Sequence, residues 1–454
     1  MATLTDYGYA YSTASVIEKE AGRSSIGLAH TAELEEVAAV PCFFWGRLRD
    51  PYLTARCLST IAKTVRSRFA LTAQELAALR DPIVTAGADQ VRFEGFSSCN
   101  GVYARLDILP EGLDGEFLAS GTTNVDFNEP MIHALNGITK SEEVTLAVGS
   151  HSVTVITEKG KAIEKKVTLP QRWIKGLTSV QHYLAEMEEA FVLTRLQAIQ
   201  LFQTLPKSTL KNDLYIVQRA GKVAFSPLRQ DKSVRIGGAH RLRLMEGLLP
   251  FIDRLHVYQS SDAQAAGFIA VMGHLQLVFA FSADAWRGFS GEGKALEYLV
   301  EELPLELVYG VNSIMKANEA FHPTMLALEH DLSFGTADAL TANLSSIGLL
   351  GYDLLNGQHF YRRLPFKTQR ILSLNPRLKN ARKLVAESEI IFNVQRPDYT
   401  EARVKGSGAA YHTVIIDKGT ARCTCDWFTN HQSKRGLCKH VLAVRIAGER
   451  REEL

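Results

Sequence analysis

The sequence predicts an α+β chain of several domains. Three observations predict it: helical apolar spacing near the N-terminus, a segment pattern that recurs at an offset of 113 residues, and a helix–turn–helix followed by a hairpin. With 454 residues, 46% hydrophobic and 22% charged, the chain has room for several cores and an ordinary globular composition. A net charge of +2 excludes a uniformly polybasic binder, so any nucleic-acid contact must come from local charge.

Residues 1–95 read as mainly helical. Leu53, Cys57, Leu58, Ile61, Ala62, Val65 and Phe69 recur at helical spacing, and Arg56, Lys63, Arg66 and Arg68 form a solvated face. The N-terminus has no basic stretch followed by an apolar run, so no signal peptide is expected and the chain is placed in the cytoplasm. The apolar run 265–281 is broken by Gly273, His274 and Gln276, and reads as two strands joined by a turn, not a membrane span.

Two α+β repeats are expected, at 96–200 and 212–305. Trp173 and Trp286 are 113 apart, and at that offset Met131, Ile132 and Leu135 fall on Leu244, Met245 and Leu248. Each copy runs from an apolar helix through strands (VTLAV, VTVIT, KKVTLP; then LHVYQ, FIAVM, LQLVFAF) to a Trp-containing helix start. The order is loosely reminiscent of clamp-like folds. Residues 306–368 read as winged-helix-like: helices near 319–329 and 336–347, then a hairpin with Asn356-Gly357 at its tip. Residues 369–388 read as a basic linker helix with Asn375 as N-cap and Pro376 at its first position. Residues 389–454 hold short strands and a cysteine-rich end.

Of six cysteines, Cys42, Cys57 and Cys99 lie in apolar surroundings and read as reduced, buried small hydrophobes. The other three lie in CTCDWFTNHQSKRGLCKH. Cys423 and Cys425 are two apart, Cys438 and His440 are two apart, and residues 426–437 separate the pairs. Side chains two apart in extended chain point the same way, so each pair can offer two ligands to one ion. Three thiolates and one imidazole make a closed tetrahedral set, as in structural zinc sites. His431, in the spacer, is an alternative to His440, and His412 is a nearby decoy. Arg422, Lys434, Arg435 and Lys439 would offset the formal −1 of the loaded site. A Cys423–Cys425 disulfide would be strained.

Cys-x-Cys…Cys-x-His between short strands and a helix resembles the SWIM zinc finger, matched here at Cys423, Cys425, Cys438 and His440. The flanking CKHVLAV and YHTVIID fit the same pattern. FFWGRL, DPIVT, FEGFSSCNGVYARLD, GTTNVDFN, WRGFSGEG and YRRLPF are similar to bacterial SWIM-domain proteins of about this length. The resemblance implies a zinc-dependent module with DNA or protein as ligand, and association with a MoxR-type ATPase and a von Willebrand A-type protein.

Arg362, Arg363, Lys367, Arg370, Arg377, Lys379, Arg382 and Lys383 lie within 362–383 with no acidic residue. With Arg422, Lys434, Arg435 and Lys439 they are the candidate nucleic-acid contacts, suited to phosphates. Residues 106–139 are the opposite extreme, with six acidic residues and no Lys or Arg. The 336–347 helix carries only Asn343 as a base-reading residue, so gripping is expected over reading. No phosphate-cradling loop, nucleophile elbow or HExxH is present, so no catalytic residue is assigned. The expected function is a non-catalytic, zinc-binding DNA-engaging or adaptor protein. The alternative is a protein-interaction scaffold for the ATPase system, without nucleic acid.

Overall fold

The computed structural model describes residues 9–11, 16–20, 23–27, 31–33, 42–67, 82–125, 127, 129–150, 152–157, 160–165, 171–208, 212–219, 221–284, 288–290, 295–299, 320–362, 364, 375–406, 408, 410–432 and 436–452. Several sheets and helices make a mixed α/β molecule. Two short strand pairs, Tyr9–Tyr11 with Thr31–Glu33 and Val16–Glu20 with Arg23–Gly27, come before the main body.

Strand β1 (Cys42–Leu48) leads into helix α1 (Pro51–Arg66). The Leu53 N–H donates to Asp50 Oδ1 at 2.9 Å, which with Pro51 fixes the helix start. The helical spacing buries Leu53, Cys57, Leu58, Ile61 and Val65 against the next strands. The expectation of a mainly helical 1–95 needs correction, because Ile83–Gly87 (β2) and Gln90–Phe96 (β3) form a hairpin. Its two turn residues, Ala88 and Asp89, both have positive φ, 51° and 55°. That is the primed geometry a two-residue hairpin needs, reached without the usual Asn-Gly signal. Arg68, Phe69 and the stretch 68–81 lie outside the described residues.

Strands β4 (Val102–Ile108), β5 (Leu113–Phe117) and β6 (Gly121–Asn124) precede helix α2 (Glu129–Asn136). The meander β7 (Thr145–Gly149), β8 (Ser152–Thr157), β9 (Gly160–Lys165) leads to α3 (Gln171–Ala185), where Trp173 is fully buried. Next come β10 (Met187–Thr194), α4 (Arg195–Gln203), β11 (Leu214–Arg219), β12 (Lys222–Ser226) and β13 (Val234–Ile236). A 3-10 stretch, Ala239–Phe251, leads to the second meander: β14 (Arg254–Ser260), β15 (Ala265–Met272), β16 (Leu275–Ser282).

Both meanders exist, but in different sheets. The first lies in a five-stranded sheet ordered β9-β8-β7-β1-β5. The second supplies three strands of an eight-stranded sheet ordered β6-β2-β3-β4-β16-β15-β14-β10. In that sheet β4 pairs antiparallel with β16, so chain from 83–108 and chain from 254–282 share one ladder. The division into self-contained repeats at 96–200 and 212–305 is therefore corrected: the 95/96 boundary cuts β3 and residue 200 falls inside α4. Trp286 and residues 166–170 lie outside the described residues.

After the single-turn α5 (Ala295–Tyr298) come β17 (Ala320–Phe321), α6 (Pro323–Glu329), α7 (Phe334–Ser346), β18 (Leu350–Asp353) and β19 (Gln358–Tyr361). The strands form a three-stranded sheet ordered β17-β19-β18. Ser333 caps α7 by accepting from the Thr336 N–H at 3.0 Å. At the hairpin tip Asp353 Oδ1 accepts from the Leu355 and Asn356 N–H groups, and Gly357 has a φ of +64°.

Buried charge fastens this segment to the eight-stranded sheet. Arg362 is fully buried, pairs with Glu94 and donates to Leu177 O at 2.9 Å. Tyr103 donates to Glu94 at 2.7 Å. Arg105, paired with Asp107 at 2.8 Å, donates to Tyr352 O at 2.6 Å, and Arg92 stacks over Phe360 at 4.1 Å. The Tyr352 N–H donates to Gln181 Oε1 at 2.7 Å.

The C-terminal unit comprises α8 (Pro376–Ala386), a four-stranded sheet β20 (Ile390–Arg396), β21 (Tyr399–Lys405), β22 (Tyr411–Asp417), β23 (Thr420–Cys423), and helices α9 (Asp426–His431) and α10 (Lys439–Glu452). Helix α8 packs along α10. The stretch read as a linker is thus a wall of this unit, with Leu378 and Ala381 buried. Among the described residues no helix is long and apolar enough to cross a membrane.

Candidate metal centre

Cys423 ends β23, and its neighbours pair along β22 with Val414 opposite it. Two residues on, Cys425 is still extended, with φ −75° and ψ 149°, and its Sγ accepts from the Phe428 N–H at 3.4 Å as the cap of α9. A strand end running into a helix cap therefore turns both thiols to one side. Cys438 lies just before α10, where its carbonyl accepts from the Leu442 N–H at 3.0 Å, and His440 stands in the first turn.

The four ligand atoms lie within 4.8 Å of one another and all four residues are buried. His440 Nδ1 is 3.8 Å from Cys423 Sγ, and its Nε2 is buried without a hydrogen-bond partner. Among the described residues this is the one group of His, Cys, Asp or Glu that converges as metal ligands do. His431 is not in it, its ring lying edge-on to Trp427 at 4.9 Å. His412 packs its ring against that of His440 at 4.6 Å, outside the ligand set.

The donor chemistry fits a thiophilic dication. Without one, the thiols compete for charge. The Cys423–Cys425 hydrogen bond pushes Cys423 well above the ordinary thiol range and, with a second bond from Cys438, pulls Cys425 well below it. Cys438 is drawn down by Cys423 but pushed up more by Cys425 and burial, to about 11. One thiolate is thus favoured at the expense of two. A Zn2+ held by Cys423, Cys425, Cys438 and His440 would reverse this by stabilising all three thiolates, with the imidazole as fourth donor. Four protein donors leave no open position.

Arg377 supports the site. It lies on α8, yet donates from Nη1 to Leu437 O at 2.7 Å, and its guanidinium sits 4.6 Å above the Trp427 ring. One side chain thus ties the residue before Cys438 to the helix that Cys425 caps. The basic pattern of the sequence points Arg377 at phosphates, and the structure corrects this: the residue is half-buried and engaged. Arg362 is corrected on the same ground, since it is sealed against Glu94. Lys379, Lys383 and Arg422 are exposed, and Arg382 and Lys439 are half-buried. Lys383 also pairs with Glu387 at 3.6 Å. Arg363, Lys367, Arg370, Lys434 and Arg435 lie outside the described residues. Among its described residues the acidic stretch 106–139 does not gather into a site: Asp107 is bound to Arg105, Asp114 to Arg49 and Glu129 to Arg66.

Residues 412–447 match the SWIM zinc finger family model. No curated protein matches the chain. Among solved structures, the proliferating cellular nuclear antigen of Entamoeba histolytica is similar at 13% identity and a TM-score of 0.34, over 53% of this chain and 98% of that one. The PCNA2–PCNA3 complex of Sulfolobus tokodaii is similar at 8% identity and a TM-score of 0.40, over 53% of this chain and 99% of that one.

Proposed function

We propose that this chain is a non-catalytic binding protein whose zinc-stapled C-terminal unit grips nucleic-acid phosphates without reading bases. The observation that carries the reading is the charge of that unit. Residues 375–448 hold thirteen Lys or Arg against six Asp or Glu, on a chain of net charge +2. Lys379, Lys383, Arg396, Arg403, Lys418 and Arg422 are exposed there. We read the segment 320–361 as winged-helix-like, from the order α6, α7, β18, β19 and the pairing of β17 with β19. Its second helix is not a reader, however: Asn343 is buried and donates to Tyr298 O at 2.9 Å.

A duplex of arbitrary sequence, titrated at rising salt, tests this. Binding that weakens linearly in log K against log salt, regardless of sequence, supports it. No affinity for DNA or RNA at low salt ends it. The second reading is a scaffold for a MoxR-type ATPase and a von Willebrand A-type protein. It is favoured by Arg362 and Arg377, two cations of the basic block that serve packing instead of solvent. Co-purification of both partners after nuclease treatment, with no DNA affinity, would select it.

A further inference from the structure

The corner between α6 and α7 carries a surface that the zinc unit does not explain. From 317 to 361 the sequence has no Lys or Arg, but has Glu319, Glu329, Asp331, Asp338 and Asp353. Three large apolar side chains stand out from this corner: Met325 is 52% exposed, Leu328 66% and Phe334 59%. Met325 and Leu328 are three apart on α6 and so share a face. The Leu332 N–H donates to Ala327 O at 2.9 Å, a tight turn that brings the end of α6, with Leu328, to the start of α7, with Phe334. Glu329, Asp331 and Asp338 are exposed around these residues, and within the described segment 320–361 the bases are His322, His330 and the buried His359.

The opposite side of α7 is committed inward. Ser346 Oγ is 2.7 Å from His182 Nε2 on α3, and Leu340 and Leu344 are buried. The corner is thus anchored to the body on one side while Met325, Leu328 and Phe334 stay exposed. A helix–turn–helix corner that met DNA would need cations against the phosphates, and this one offers carboxylates. An apolar cluster rimmed by acid fits a different ligand. Apolar anchors on one helix face fill such a cluster, and flanking Lys or Arg meet its rim.

We propose that the α6–α7 corner is a docking site for a basic amphipathic helix of a partner protein. It rests on side chains outside the zinc unit and does not depend on the nucleic-acid reading. The test uses the full zinc-loaded chain and four labelled probes: an amphipathic Leu/Lys helical peptide, its Leu/Glu counterpart, a Leu/Lys peptide scrambled to break the helical period, and duplex DNA. The expected result is that the Leu/Lys helix binds at least tenfold more tightly than the other two peptides. Leu328→Ser with Phe334→Ser should remove that preference while leaving DNA affinity and the circular dichroism spectrum unchanged. Reversing the rim with Glu329→Lys, Asp331→Lys and Asp338→Lys should shift the preference to the Leu/Glu peptide, which keeps the proposal testable if the serine variant misfolds. Equal binding of the amphipathic and scrambled peptides, or peptide binding that neither set of substitutions alters, overturns the proposal. Loss of DNA binding in the serine variant also overturns it, because the corner would then be a nucleic-acid surface.

Discussion

Cys438 and Arg377 stabilise the same loop by different physics. Cys438 supplies charge to the metal. Its replacement by Ala leaves two thiols and an imidazole, too few donors for a closed structural site, and the binding free energy that folds such a unit is lost. Cys438→Ala should therefore bring bound zinc close to zero per chain and make the last fifty or so residues protease-sensitive, with the body still folded. Metal analysis with limited proteolysis checks this. Arg377 supplies only geometry. Removing its stack on Trp427 and its bond to Leu437 O should cost about 1–3 kcal/mol. Arg377→Ala should thus keep zinc stoichiometric but speed its loss to a chelator, whereas Lys379→Ala, on the exposed face of α8, should leave that rate unchanged. The four ligands are legible in the sequence because their spacing is local and the donor types are rare. The role of Arg377 is not, because its partner carbonyl lies 60 residues away and nothing in the spacing links them.

At the scale of elements, the hairpin β18–β19 is legible locally, since Asn356-Gly357 marks its tip and Asp353 and Gly357 shape the turn from within the loop. What the hairpin packs against is set by tertiary contacts. His359 on β19 is buried, stacked on Phe321 at 5.9 Å and edge-on to Tyr352 at 5.0 Å. Burial, aided by nearby His322, lowers its pKa from 6.5 to about 4. The unfolded imidazole takes up its proton first on acidification, so between about 6.5 and about 4 the unfolded chain binds more protons than the folded one. The contribution is complete above about pH 6.5 and is lost as pH falls towards 4, up to about 3 kcal/mol at ~1.4 kcal/mol per pKa unit. His359→Phe keeps an aromatic ring and removes the titration. Its urea midpoint should fall less than that of the wild type across this pH range. A parallel fall in both proteins would assign the acid sensitivity elsewhere. The hairpin at Ala88-Asp89 is the contrary case: Asp89 tolerates its positive φ, but Ala88 does not favour one, and no Asn-Gly or Asp-Gly pair announces the turn.

For the whole molecule, the sequence repeat and the sheet lead to opposite expectations, which makes the body's architecture testable. The offset of 113 residues lays one apolar block and the strands after it over another, because apolar periodicity records which faces are buried. It says nothing about which strand lies beside which, and there the chain departs from two tandem modules. The eight-stranded sheet closes through β4 and β16, with seven residue pairs from Phe281↔Val102 to Leu275↔Ile108. Both strands are buried along their whole length. A fragment ending near residue 206 would expose the edge of β4, with Tyr103, Leu106 and Ile108, and would lose the Arg362 that neutralises buried Glu94. An unpaired edge of that kind invites aggregation, and an uncompensated buried carboxylate costs several kcal/mol. The fragment 1–206 should therefore be protease-sensitive and aggregation-prone alone, and should become resistant when co-expressed with 207–454. Circular dichroism and proteolysis of the separate and combined fragments decide it: a stable, monomeric 1–206 would restore the tandem modules, and rescue only by the second fragment would establish a body whose two halves fold together through the eight-stranded sheet.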